Sequence, residues 1–119
     1  MSTAQIELSI AAAASQSGTV DLRNFLVTGI VVPAAWTAAD LTFLASAGAQ
    51  DGVSATGVWN PVYDADGIEL AAVAAASRHI VFNASALAGV QYLRVRSGTA
   101  SVPVVQAAAR AILLITRPD

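Results

Sequence analysis

The chain has 119 residues, a length that fits one domain and leaves no room for two independent cores. Cysteine is absent and histidine occurs once, which removes disulfides, thiolate zinc sites and cysteine nucleophiles. Charged residues make up 12% of the chain, the formal net charge is −2, and all six cations are scattered arginines. A nucleic-acid partner, which calls for clustered excess cations, is therefore not expected.

Residues Gln5 to Ala11 open the chain with clean alternation. Ile6, Leu8 and Ile10 fall on one face and Gln5, Glu7 and Ser9 on the other, the pattern of a half-buried strand. Ser15-Gln-Ser-Gly18 is a turn signal, and Thr19–Leu22 a short strand. Phe25 to Val32 is β-branched and apolar on both faces, which predicts a buried strand closed by Pro33. Trp36 to Asp40 is a loop or a single helical turn, and Leu41 to Ser46 a further strand.

Ala47 to Gly57 is rich in glycine, alanine and serine and is expected to be an exposed loop. Val58 to Tyr63 is interrupted by Pro61, so it is assigned to an edge. Asp64-Ala-Asp66-Gly67 is a hairpin turn from which Ile68–Val73 returns. Arg78–Phe82 is a strand, and Ala84–Ala88 a short helical turn ending at Gly89. Val90–Ser97 is a strong strand with Leu93 and Val95 on one face and Tyr92, Arg94 and Arg96 on the other. After a turn at Gly98–Ser101, Val102–Val105 can pair as a strand. Ala107–Thr116, with its β-branched end, is read as the last strand despite its alanine run. Short strands with turn signals every 8–14 residues predict an all-β fold, an antiparallel β-sandwich or jelly roll of about eight strands. Residues 1–17 would form an N-terminal strand or arm and 18–119 the sandwich domain.

The hydrophobic share, 55%, includes 27 alanines, so the larger apolar residues number an ordinary 39. The anomaly is an exterior where alanine, serine and threonine stand in place of charges. Such an exterior suits a surface covered by another subunit; a GC-rich coding bias is a rival account. No run approaches the roughly 20 apolar residues of a membrane span, and Phe25 to Trp36 is broken by Thr28, Gly29 and Pro33. No signal peptide is recognisable, so synthesis in a cytoplasm is expected.

Candidate chemistry is sparse. His79 has no serine or carboxylate motif beside it and is read as structural or surface-lying. Zinc would need more ligands than one histidine supplies. Asp64, Asp66 and Glu69 resemble a calcium loop only faintly, and the pattern D-x-[DN]-x-[DN]-G is incomplete, so a hairpin turn is the preferred reading. No phosphate-binding glycine motif and no singled-out carboxylate pair exists. No enzymatic activity and no cofactor is expected. Trp36, Trp59 and Tyr63 can plug the core, meet a partner or stack on sugar rings. Arg94 and Arg96 share one strand face, which is expected to be solvated or at a subunit boundary, because buried guanidinium groups need partners.

Several segments in order resemble small virion proteins of tailed phages and gene-transfer particles. They are Pro33-Ala-Ala-Trp36-Thr-Ala-Ala-Asp-Leu41-Thr-Phe43, Val62-Tyr63-Asp64-Ala-Asp66-Gly67, Tyr92-Leu93-Arg94-Val95-Arg96-Ser97-Gly98-Thr99 and Pro103-Val104-Val105-Gln106. The resemblance spans roughly residues 18–117 and none of its motifs is catalytic. It implies a small β-sandwich on the particle, a head decoration (cement) protein or the base of a head spike, made in the host bacterial cytoplasm. The rhythm is also similar to galactose-binding-like jelly rolls. One departure is Ala47–Val58, longer than the short Ser-x-Asp-Gly turn the resemblance would place there; it can be an added contact arm. Implied partners are capsid or other virion proteins and further copies of the chain, with neither nucleic acid nor membrane. Ile6, Leu8, Ile10, Trp36, Trp59, Tyr63, Arg94 and Arg96 are the candidate contact residues. The alternative is a carbohydrate- or receptor-binding module of a tail or spike, with the aromatic residues in one shallow groove.

Overall fold

Residues 4–47 and 58–118 are described in a computed structural model, and they form an all-β fold of two antiparallel sheets without a helix. The opening alternation becomes β1 (Ala4–Ile10), with Leu8 and Ile10 buried and Gln5, Glu7 and Ser9 exposed. Next come β2 (Val20–Asp21), β3 (Phe25–Val31), β4 (Leu41–Ser46), β5 (Asn60–Pro61) and β6 (Ala71–Ala72). The remaining strands are β7 (His79–Val81), β8 (Tyr92–Ser97) and β9 (Arg110–Pro118).

The first sheet has the order β1-β9-β3-β7. Strand β9 owes its central place to apolar residues on both faces: Ile112 and Leu114 are buried on one, Leu113 and Ile115 half-buried on the other. It pairs with the whole of β1 through Arg110–Thr116, Leu8 opposite Ile112, and with β3 on its other side. The β3–β9 register shifts between Val27 and Gly29. There the Thr28 hydroxyl donates to the Ile115 carbonyl, and the Phe82 amide donates to the Thr28 carbonyl. Gly29 follows because a Cβ at this position would lie 3.2 Å from the Ile80 carbonyl oxygen.

The second sheet runs β2-β8-β4-β5, with β6 also pairing β4. Strands β5 and β6 share one edge of β4, Pro61 opposite Leu44 and Ala72 opposite Leu41. Pro61 therefore takes the edge position its missing amide hydrogen demands. The intervening hairpin is the one read from Asp64-Ala-Asp66-Gly67. The Asp64 carboxylate accepts from the amides of Asp66 and Ile68, and Gly67 supplies a φ of 80°.

Both sheets contribute to one apolar cluster. Leu8, Ile10, Val27, Ile30, Ile112 and Leu114 come from the first; Val20, Leu41, Phe43, Leu93 and Val95 come from the second. Phe43 meets Phe82 edge to face at 5.6 Å. Each fully buried side chain of this size contributes about 1.5–3 kcal/mol, so this cluster is the main stabilising element.

The described residues hold nine strands, with β5 and β6 dividing one edge between them. Two expectations need correction. Val102–Val105 makes only an isolated bridge, Gly98 to Pro103, since Pro103 has no amide to donate and Gly98 turns the chain at a φ of 90°. The last strand begins at Arg110, so the alanines at 107–109 precede it. Of the loop read at Ala47–Gly57, residues 48–57 lie outside the described part.

Candidate functional site

Strand β8 sorts its side chains strictly by parity. Leu93 and Val95 enter the core, while Tyr92, Arg94 and Arg96 line the opposite face of the second sheet. That face also carries Thr42 and Leu44 of β4, which stand opposite Arg96 and Arg94. Each member of the Tyr92–Arg94–Arg96 row is engaged differently.

Arg96 is 5% exposed, so the expectation of a solvated or boundary position for this residue is not met within the chain. The hairpin delivers Glu69, whose carboxylate lies 2.7 Å from the Arg96 Nη2 atom. Arg96 Nε donates to Thr42 Oγ1, and the Thr42 hydroxyl donates onward to the Gly98 carbonyl. Glu69 also accepts from the Ala100 amide. A buried guanidinium is tolerated here because charge and donors are both answered. The Glu69 partner was missed in the sequence; 27 residues of separation carry no local signal.

Arg94 is half-buried and lies over Trp59, 4.2 Å from the ring centroid to its guanidinium carbon. Its Nε donates to Thr19 Oγ1 at 3.1 Å. At the other end of the row, Arg23 lies 5.3 Å from the Tyr92 ring centroid and pairs with Asp21 at 2.8 Å. Hydrogen bonds from the Arg23 side chain and amide hold the Asp21 carboxyl below its ordinary range.

The remaining sequence candidates are dispersed. Leu8 and Ile10 turn into the chain's own core, with Ile6 packed at its margin. Trp36 packs against the core and donates its indole N–H to the Ala39 carbonyl. Tyr63 is 53% exposed on the hairpin. It borders an open cleft of about 340 Å³ with Ser46, Asn60, Val90 and Gln91. Trp36, Trp59 and Tyr63 thus have three separate surroundings. His79 is exposed on β7. Among the described residues, no group of three or more His, Asp or Glu side chains could hold a metal.

One buried polar centre escaped sequence reasoning altogether. Gln106 is fully buried; its side-chain oxygen accepts from the Thr37 amide and Arg110 Nε. Its amide nitrogen donates to the Thr37 carbonyl and Ser97 Oγ. This clasp pins the Trp36–Asp40 loop against the ends of β8 and β9. A glutamine between Val105 and Ala107 in a loop gives no sequence cue to such a role.

No family model, curated protein or solved structure matches the chain.

Proposed function

We propose that the chain is a non-enzymatic structural subunit of a phage-type virion, a capsid decoration (cement) protein or head-spike base. It would act through contacts with capsid protein or further copies of itself. The observation that carries this reading is the edge of β1. Among the described residues this seven-residue strand pairs only with β9, apart from a bridge from Ile10 to Ser17. It has no lysine, no proline and no register shift along its pairing, three of the devices by which sheet edges are usually blunted, and Glu7 is its single charge. A neighbour that adds a strand there gains main-chain hydrogen bonds. Exposed Val58, Ile68, Val73, Val81, Val102 and Val105 add apolar area whose removal from water gives roughly 25 cal/mol per Å², less the cost of ordering.

The strand order supports a jelly-roll sandwich as the finer description. If β5 and β6 count as one interrupted strand, eight strands divide into two sheets of four, with the first strand beside the last. The shared apolar cluster supports face-to-face packing of the two sheets. In this reading the protein is made in the host cytoplasm and resides in the virion.

The test is native mass together with co-sedimentation on purified capsids of the corresponding particle. Wild-type chain is expected to oligomerise or to pellet with capsids. The Gln5→Lys/Ser9→Lys variant, which leaves Leu8 and Ile10 in the core, is expected to lose that association. A strictly monomeric wild-type chain that stays in the supernatant refutes the proposal.

A second reading, a carbohydrate- or receptor-binding module, is favoured by the cleft beside Tyr63. It has an exposed aromatic ring, uncharged hydrogen-bonding side chains and a volume at the lower end of ligand sites. Glycan-array binding that disappears in Tyr63→Ala would support it, and array silence would remove it.

A further inference from the structure

We propose that Arg94, seated on Trp59, is a preformed site for a carboxylate presented by an aspartate or glutamate side chain of a partner protein. Three other arginines are answered within the chain: Arg23 by Asp21, Arg96 by Glu69, and Arg110 by Gln106 and Thr37. Arg94 is held but not answered. The Trp59 ring supports its guanidinium, and the bond from Nε to Thr19 fixes its rotation.

Neither of its terminal nitrogens has an acceptor among the described residues, and neither ion pair of those residues includes it. Among the described residues no buried side-chain nitrogen lacks a hydrogen-bond partner, so both terminal nitrogens retain access to solvent. The outcome is a planar fork held by a ring contact and one hydrogen bond, with its terminal donors still accessible.

A carboxylate matches such a fork with two parallel hydrogen bonds. Because the arginine is already ordered, binding loses less side-chain freedom than it would at a mobile surface arginine. The guanidinium also favours a protein over a sugar acid. It covers one face of Trp59, so a sugar ring paired with the fork cannot stack on that face. Arginine and tryptophan together are the side chains that most often dominate protein interfaces. The inference holds for any acidic protein partner and does not require the virion reading.

The test is a titration of the full-length ¹⁵N-labelled chain with capped tetraglutamate, with capped tetraglutamine as the neutral control and tetragalacturonate as the sugar-acid arm. The readouts are the Arg94 Nε–H and Trp59 indole N–H resonances. Tetraglutamate is expected to shift both saturably, and more weakly as salt rises. Arg94→Gln should reduce affinity about tenfold or more. Arg94→Lys, which keeps the charge and loses the fork, should reduce it several-fold. The proposal is overturned if tetraglutamate shifts the resonances no more than tetraglutamine does, if Arg94→Gln binds equally well, or if tetragalacturonate binds more tightly. The wild-type titration decides the first and third outcomes even if a variant fails to fold.

Discussion

Removing Glu69 should expose how much the second sheet depends on a pair of charges that its own hairpin assembles. In Glu69→Ala the Arg96 guanidinium, 5% exposed, keeps only its bond to Thr42, and the Ala100 amide loses its acceptor. Stranding one member of a buried ion pair costs about 3–5 kcal/mol. With a urea m-value of about 2 kcal/mol/M for a small domain, the midpoint should fall by roughly 1.5–2.5 M. The companion variant Arg96→Met/Glu69→Leu removes both charges and fills similar volume. Its stability should lie within about 1.5 kcal/mol of wild type, since apolar replacement of a whole buried pair is often neutral or better. Urea denaturation followed by tryptophan fluorescence and circular dichroism measures both. A loss below about 1 kcal/mol in Glu69→Ala would mean that the pair behaves as a solvated surface bridge, and the reasoning would fail.

Gly98→Ala should destabilise by at least about 2 kcal/mol, because φ is 90° and the new Cβ would lie 2.5 Å from the Val102 carbonyl oxygen. Gly67→Ala, at a φ of 80° with open space around it, should cost only about 1–2 kcal/mol; equal melting temperatures for the two variants would contradict this contrast. Gln106→Leu should cost about 3 kcal/mol or more by leaving Ser97 and both backbone groups of Thr37 without their partner, read as a lower denaturation midpoint. Asp21 should titrate below 3.8 by carbon-detected NMR and move up toward that value in Arg23→Ala. Its depressed folded value means that its stabilising contribution is present above pH 3.8 and is lost as pH falls through the folded value.

Periodicity made the long strands legible. Alternation located β1 and the two faces of β8, and apolar residues on both faces located β3 and β9. Proline at 61 and the Asp-Gly turn at 66–67 located the edge hairpin. What could not be read was which side chains meet across the molecule. Arg94 and Arg96 are two residues apart and identical in type, yet Glu69 answers one, while Trp59 only supports the other. The difference arises from where the hairpin folds back over the sheet, a tertiary fact with no local signature. Val102–Val105 misled for a related reason: its β-branched residues carry strand propensity, but Pro103 and the positive-φ Gly98 prevent a continuous ladder.

The pairing of Ala4 with Thr116 has a consequence for how the molecule is built during synthesis. Strand β9 lies between β1 and β3, so until β9 has been made β1 has no neighbour in its sheet among the described residues. Strand β1 must wait without a sheet neighbour, whereas β3 and β4 can already pair with β7 and with β5 and β6. Closing the first sheet across 112 residues of separation is therefore expected to be slow for so small a domain, in the millisecond-to-second range of sheets joined by distant contacts. Throughout that wait the nascent chain exposes Leu8 and Ile10, and this interval is when a holding chaperone would have most effect on yield.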